Sequence, residues 1–121
     1  MDKKTILIVD DEEMIRSELA EFLAYLGYAT FAAEGHEKAL SILAKEHVDF
    51  MLVDFKMPGM NGIDLLRLVK KEHPGIIVLF ITGDGDDAVI TQAMVQGASA
   101  FFIKPVSGRE IDAVIKKITN S

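Results

Sequence analysis

The sequence predicts an α/β fold: a doubly wound sheet of five parallel strands, order 2-1-3-4-5, with helices on both faces. Three observations carry this. Short apolar runs alternate five times with stretches whose apolar residues recur at helical spacing. The runs lack the polar alternation of a sheet with one wet face, so each is expected to be buried on both sides. Glycines and prolines punctuate the junctions. With 121 residues there is room for one domain with a single core, spanning 1–121.

Taken in order, Ile6-Leu7-Ile8-Val9 is a β-branched run that stops at Asp10-Asp11. Ile15, Leu19, Phe22, Leu23 and Leu26 then mark one face of a helix. Asp11, Glu12 and Glu13 load its first turn with charge that the helix dipole favours, and Gly27 fits a left-handed C-terminal cap. Thr30 to Ala33 is a weaker strand. Ala39, Leu40, Leu43 and Ala44 form a second helix ending near His47. Phe50-Met51-Leu52-Val53 is a buried strand ending on Asp54, after which Pro58, Gly59 and Asn61-Gly62 turn the chain.

A third helix carries Ile63, Leu66 and Val69 and must end before Pro74. Ile76 to Ile81 is the longest apolar run and closes on Thr82. The loop from Gly83 to Asp87 is mobile by composition, and a fourth helix runs from about Asp86 to Gln96, stopped by Gly97. Ala100 to Ile103 is the fifth strand, closing on Lys104-Pro105. Ser107 to Glu110 has the form of a capping box, and Ile111, Val114, Ile115 and Ile118 share a face of the last helix. The architecture is a flavodoxin-like (βα)5 sandwich.

Composition narrows the function. A net charge of -6 argues against direct nucleic-acid binding, which needs a basic face. The absence of cysteine excludes disulfides and thiolate chemistry. The N-terminal run is too short for a signal sequence, and no apolar run is long enough to span a membrane, so a cytoplasmic protein is expected. The final Asn120-Ser121 fits either a natural end or the edge of a longer protein.

The chemistry lies in what the strands end on: Asp10 and Asp11, Asp54, Thr82 and Lys104. In the predicted order these strands are neighbours, so the side chains converge on one rim, where ligands bind in such sheets. Two unit charges about 5 Å apart repel by about 3 kcal/mol at an effective dielectric of 20, so three carboxylates need compensation. Protonation, Lys104 or a cation would supply it; Mg²⁺ suits an all-oxygen site with few protein ligands and commonly also binds phosphate. With a lysine opposite and a threonine hydroxyl between, the rim is arranged for a phosphoryl group on Asp54. Singly, each residue has an ordinary reading: Asp10-Asp11 as a helix cap, Thr82 as a strand end, Lys104 as a solvated lysine. His36, His47 and His73 are expected at the surface, and Met57 and Met60 in loop packing.

Over essentially its whole length the chain resembles the receiver domain of two-component response regulators. The motifs are Ile6 to Glu12, Val53 to Gly62, Ile81-Thr82-Gly83 and Phe101 to Pro105. The resemblance implies a signalling domain, not an enzyme, in which Asp54 accepts a phosphoryl group from a sensor histidine kinase or a histidine phosphotransfer protein. It implies that Asp11, Asp54 and the backbone carbonyl of Lys56 hold Mg²⁺, with Asp10 assisting through water. Lys104 would bind a phosphoryl oxygen, Thr82 would move toward the group, and Gly83 would leave access open. Phe101 would be the switch aromatic that turns inward, altering the face of the fourth helix, fifth strand and fifth helix. Lys104-Pro105 would be joined by a cis bond. An effector or output domain would read the change, by a monomer or a phosphorylation-dependent dimer. Lys56 stands where the family varies, and its ammonium is expected to change the phosphoryl lifetime.

Three other classes compete. A haloacid-dehalogenase-like phosphatase also phosphorylates an aspartate, but it carries a second aspartate two residues on, where this chain has Lys56. A flavin mononucleotide binder would need a glycine-rich loop where Asp10 to Glu13 stand. An adaptor that is never phosphorylated would not need an intact acidic rim.

Overall fold

In the computed structural model, residues 3–57, 59–83 and 87–120 are described. Each apolar run becomes a strand and each periodic stretch a helix: β1 (Thr5–Val9), α1 (Glu13–Tyr25), β2 (Ala29–Ala33), α2 (His36–Lys45), β3 (Phe50–Asp54), then α3 (Gly62–Glu72). β4 (Ile77–Thr82), α4 (Asp87–Val95), β5 (Ala100–Ile103) and α5 (Gly108–Thr119) complete the chain. All strand pairs are parallel, and the sheet order is β2-β1-β3-β4-β5, as expected. The expected turn at Pro58, the loop residues 84–86 and the start of the fourth helix at Asp86 lie outside the described residues.

Alternation along the strands divides the core in two. Leu7, Met51, Val53, Val78 and Phe80 face one side, with Leu43, Leu66 and Val69 from the helices there. Ile6, Ile8, Leu52, Leu79 and Phe102 face the other, against Leu19, Leu23, Ile111 and Ile115. β1, β3 and β4 are central and dry. The expectation that every strand is covered on both faces fails at β5, where Phe101 is 41% and Ile103 46% exposed. β5 is an edge strand with one sheet neighbour, and its Phe101 face is only partly covered.

Two cap glycines are as expected, Gly27 at φ +107° and Gly97 at φ +113°, in the left-handed region that a side chain disfavours. The capping box at α5 also forms: Ser107 Oγ accepts from the Glu110 N–H at 3.2 Å, and Glu110 Oε1 accepts from the Ser107 N–H at 3.2 Å. Removing that hydroxyl in Ser107→Ala is expected to cost about 1 kcal/mol. Thermal unfolding should fall by about 4 °C, and an unchanged midpoint would show that the box is dispensable.

At the start of α5 the backbone comes against α1. A Cβ on Gly108 would lie 2.2 Å from Cδ2 of Phe22, so only glycine fits beneath that ring. The Arg109 guanidinium stacks over the same ring, 5.3 Å from its centroid. The Tyr28 hydroxyl donates to Asp112 on α5, tying the entry of β2 to the same helix.

Candidate functional site

The carboxyl ends of β1, β3, β4 and β5 deliver the rim residues side by side. Asp10 follows β1 and is 1% exposed; Asp54 ends β3 and is 3% exposed; Thr82 ends β4 and is 2% exposed. Among the described residues these are the buried polar or charged ones, and burying charge is expensive without a partner. The partner is Lys104, one residue past β5. Its Nζ lies 3.1 Å from Asp54 Oδ2, 3.4 Å from Asp10 Oδ2 and 2.9 Å from Glu12 Oε1. Further support is local: the Glu12 N–H donates to Asp10 Oδ1 at 2.8 Å, and the Lys56 N–H donates to the Asp54 carboxylate. Arg16 donates to the Asp10 backbone carbonyl at 2.8 Å.

These contacts do not fully offset burial. Desolvation, against its bond from Glu12 and the charge of Lys104, holds the Asp10 carboxyl above the ordinary carboxylate range. Desolvation and then the charge of Asp10 do the same to Asp54. Burial alone would lower the Lys104 ammonium, but the carboxylates of Glu12, Asp54 and Asp10 outweigh it and raise its pKa. One lysine thus serves more negative charge than it balances.

Asp10 Oδ2 is buried and accepts no hydrogen bond; its distance to Lys104 makes it a charge pair and no more. Asp10, Asp11, Glu12 and Asp54 each present a carboxylate oxygen, and these oxygens lie within 4.8 Å of one another. An orphaned buried oxygen in an all-oxygen acidic cluster fits a hard divalent cation. A pocket of about 350 Å³, lined by Asp11, Glu12, Asp54, Lys56, Gly83 and Lys104, opens onto the cluster.

The structure therefore brings Asp11, Asp54, Lys56, Gly83 and Lys104 together at one pocket, with Asp10 buried in the same carboxylate cluster. Thr82 lies at the neighbouring strand end, while Phe101 stands apart on the edge strand with its ring half exposed. The Lys104–Pro105 peptide is cis. His47 is exposed and bonds Asp49, and Met57 and Met60 pack against the core, as expected. Two residues do work that sequence spacing does not reveal. Glu12, read as charge for the helix dipole, is bound to Lys104. Gly62, read as a turn residue, is required by contact: a Cβ there would lie 2.6 Å from the Asp54 carbonyl oxygen and 2.8 Å from Phe55 Cα.

The geometry defines a class, an α/β domain with an acidic, lysine-bridged pocket at the carboxyl end of its sheet. Residues 6–116 match the response regulator receiver domain family, and the chain belongs to it. It is 39% identical over 117 residues to sporulation initiation phosphotransferase F of Bacillus subtilis, covering 97% of this chain and 94% of that protein. A cyclic di-GMP phosphodiesterase of Thermotoga maritima is 32% identical over 117 residues, covering 97% of this chain but 30% of its own length. Among solved structures, a CheY-like response regulator receiver domain protein from Methanospirillum hungatei superposes with a TM-score of 0.92 at 30% identity, over 98% and 95% of the two chains. The chain thus spans less than a third of the Thermotoga relative and nearly all of the Bacillus one. It is a receiver domain of two-component response regulators, a signalling domain. Among the described residues no helix is long and apolar enough to cross a membrane.

Proposed function

We propose that this domain accepts a phosphoryl group on Asp54 from a phosphohistidine of a sensor histidine kinase or histidine phosphotransfer protein. A carboxylate oxygen of Asp54 attacks phosphorus, and an O–P bond forms as the N–P bond breaks. The departing imidazole keeps that bond's electron pair and takes a proton from solvent. Asp11, Asp54 and the Lys56 carbonyl would hold Mg²⁺, with Asp10 assisting through water. Bound there, it would neutralise charge on the phosphoryl oxygens and on the acidic cluster.

The chain's own residues do the rest. The Lys56 N–H orients the Asp54 carboxylate. Lys104 supplies a cation for a phosphoryl oxygen, the Thr82 hydroxyl moves to another, and Gly83 keeps the mouth open. Lys56, exposed on the pocket wall, shields the acyl phosphate from water. Movement of Thr82 would let Phe101 turn from its half-exposed position inward, changing the α4–β5–α5 face that an effector, an output domain or a second copy reads.

The observation that supports this reading is the buried Asp54 sharing one lysine with Asp10, whose second oxygen lacks a hydrogen bond. Incubation with acetyl phosphate and Mg²⁺ should add the mass of one phosphoryl group, with chelator preventing the addition. A protein that stays unmodified under these conditions is the unphosphorylated adaptor instead.

A further inference from the structure

Glu12 occupies the N-cap position of α1, but its side chain caps nothing there. Its carboxylate reaches across the rim to Lys104, at 2.9 Å, closer than the 3.1 Å that separates the ammonium from Asp54. The Glu12 side chain is 58% exposed, whereas those of Asp10 and Asp54 are 1% and 4%. An ammonium has three protons to donate. Glu12 at 2.9 Å and Asp54 at 3.1 Å take two of them and Asp10 is a charge partner at 3.4 Å, so an arriving phosphoryl oxygen competes with these carboxylates for the ammonium. Asp10 and Asp54 are fixed in the buried floor, Asp10 by its bond from the Glu12 N–H. Glu12 stands in solvent, where its ion pair is weak and its carboxylate is readily rehydrated.

We propose that Glu12 is a displaceable placeholder for the phosphoryl group on Lys104. It holds the ammonium in position while Asp54 is empty, and competes with the phosphoryl oxygen for the same donor. Glu12 is in this sense a positioning residue: it acts through Lys104. The proposal rests on the reading of Asp54 as phosphoryl acceptor.

The test uses beryllofluoride, a phosphoryl mimic, titrated with saturating Mg²⁺ into the wild type, Glu12→Gln and Glu13→Gln, followed by amide NMR. The neighbouring Glu13 is an exposed acid of the same helix turn and controls for general charge removal. Glu12→Gln should bind about two- to fivefold tighter than Glu13→Gln, the range an exposed ion pair supports. The Lys104 side-chain resonances should differ between wild type and Glu12→Gln when empty and coincide when both are loaded. Mg²⁺ affinity without beryllofluoride is measured for each variant, so that the beryllofluoride affinities are compared at full metal occupancy. Equal beryllofluoride affinities would overturn the proposal, as would Lys104 signals that still differ after loading. A loss of Mg²⁺ affinity confined to Glu12→Gln would overturn it by making Glu12 a metal ligand. A wild type that binds Mg²⁺ but no beryllofluoride would remove the acceptor reading itself, and this proposal with it.

Discussion

Asp54→Asn is expected to abolish phosphoryl labelling and, at the same time, to make the metal-free protein more stable. The first result follows from chemistry, since an amide oxygen is not a carboxylate nucleophile. The second follows from burial. Asp54 is 3% exposed, its carboxyl is pushed up by desolvation and by Asp10, and Lys104 is shared with two other carboxylates. Two charges about 5 Å apart repel by about 3 kcal/mol at an effective dielectric of 20. After the partial offset from Lys104, the variant should gain about 1–2 kcal/mol at neutral pH.

The pH dependence has a fixed sign. A carboxyl whose folded pKa lies above its unfolded value of 3.8 binds protons more tightly in the folded state, so its ionisation disfavours folding. That cost is fully present above the raised folded pKa and disappears as pH falls toward 3.8. The advantage of Asp54→Asn should therefore be large at pH 7 and shrink on acidification. Saturating Mg²⁺ should shrink it too, by stabilising the wild type more than the variant. Denaturant unfolding at several pH values, with and without Mg²⁺, reads all of this. A variant less stable than wild type at pH 7 without metal would mean that Asp54 is a net stabiliser, and the charge argument would fail.

Gly62→Ala should be the most damaging single-methyl change near the pocket. The new Cβ would meet backbone on every side: the Asp54 carbonyl oxygen at 2.6 Å, Phe55 Cα at 2.8 Å and the Asp54 carbonyl carbon at 3.1 Å. No side chain can rotate away. The Gly62 N–H also donates to the Phe55 carbonyl at 2.8 Å, so α3 cannot retreat without breaking the bond that holds it to the end of β3. Forced overpacking of this kind costs about 3 kcal/mol, a fall of about 10 °C in Tm for a domain of this size. Labelling of Asp54 should slow as well, because the displaced backbone carries the acceptor. Wild-type stability in the alanine variant would show that the approach at Gly62 relaxes freely.

The strands were legible because β1, β3 and β4 are buried on both faces, so their apolar runs carry no polar interruption. Gly27, Gly97 and the Ser107–Glu110 box were legible because capping is local chemistry, written within a few residues. The acidic rim could be assembled from sequence because parallel topology brings consecutive strand ends to one side. What escaped depends on distances that sequence spacing does not encode. Nothing distinguishes Glu12 from Glu13 until Lys104, 92 residues away, takes a hydrogen bond to one of them. Asn61-Gly62 has the composition of a turn, and only coordinates reveal that the glycine is demanded by the proximity of β3. The half-open face of β5 was hidden because an edge strand can be as apolar as a central one.

The seat of Phe22 against Gly108 has a mechanical consequence. With no space for even a methyl group between ring and backbone, α1 and α5 mesh like gear teeth, and the arginine that follows clamps the tooth from above. α5 begins four residues after Lys104, so a tug on that lysine is handed to a helix that cannot slide alone. Whatever displaces the start of α5 must carry the opening helix of the chain with it, and the two would travel as one lever.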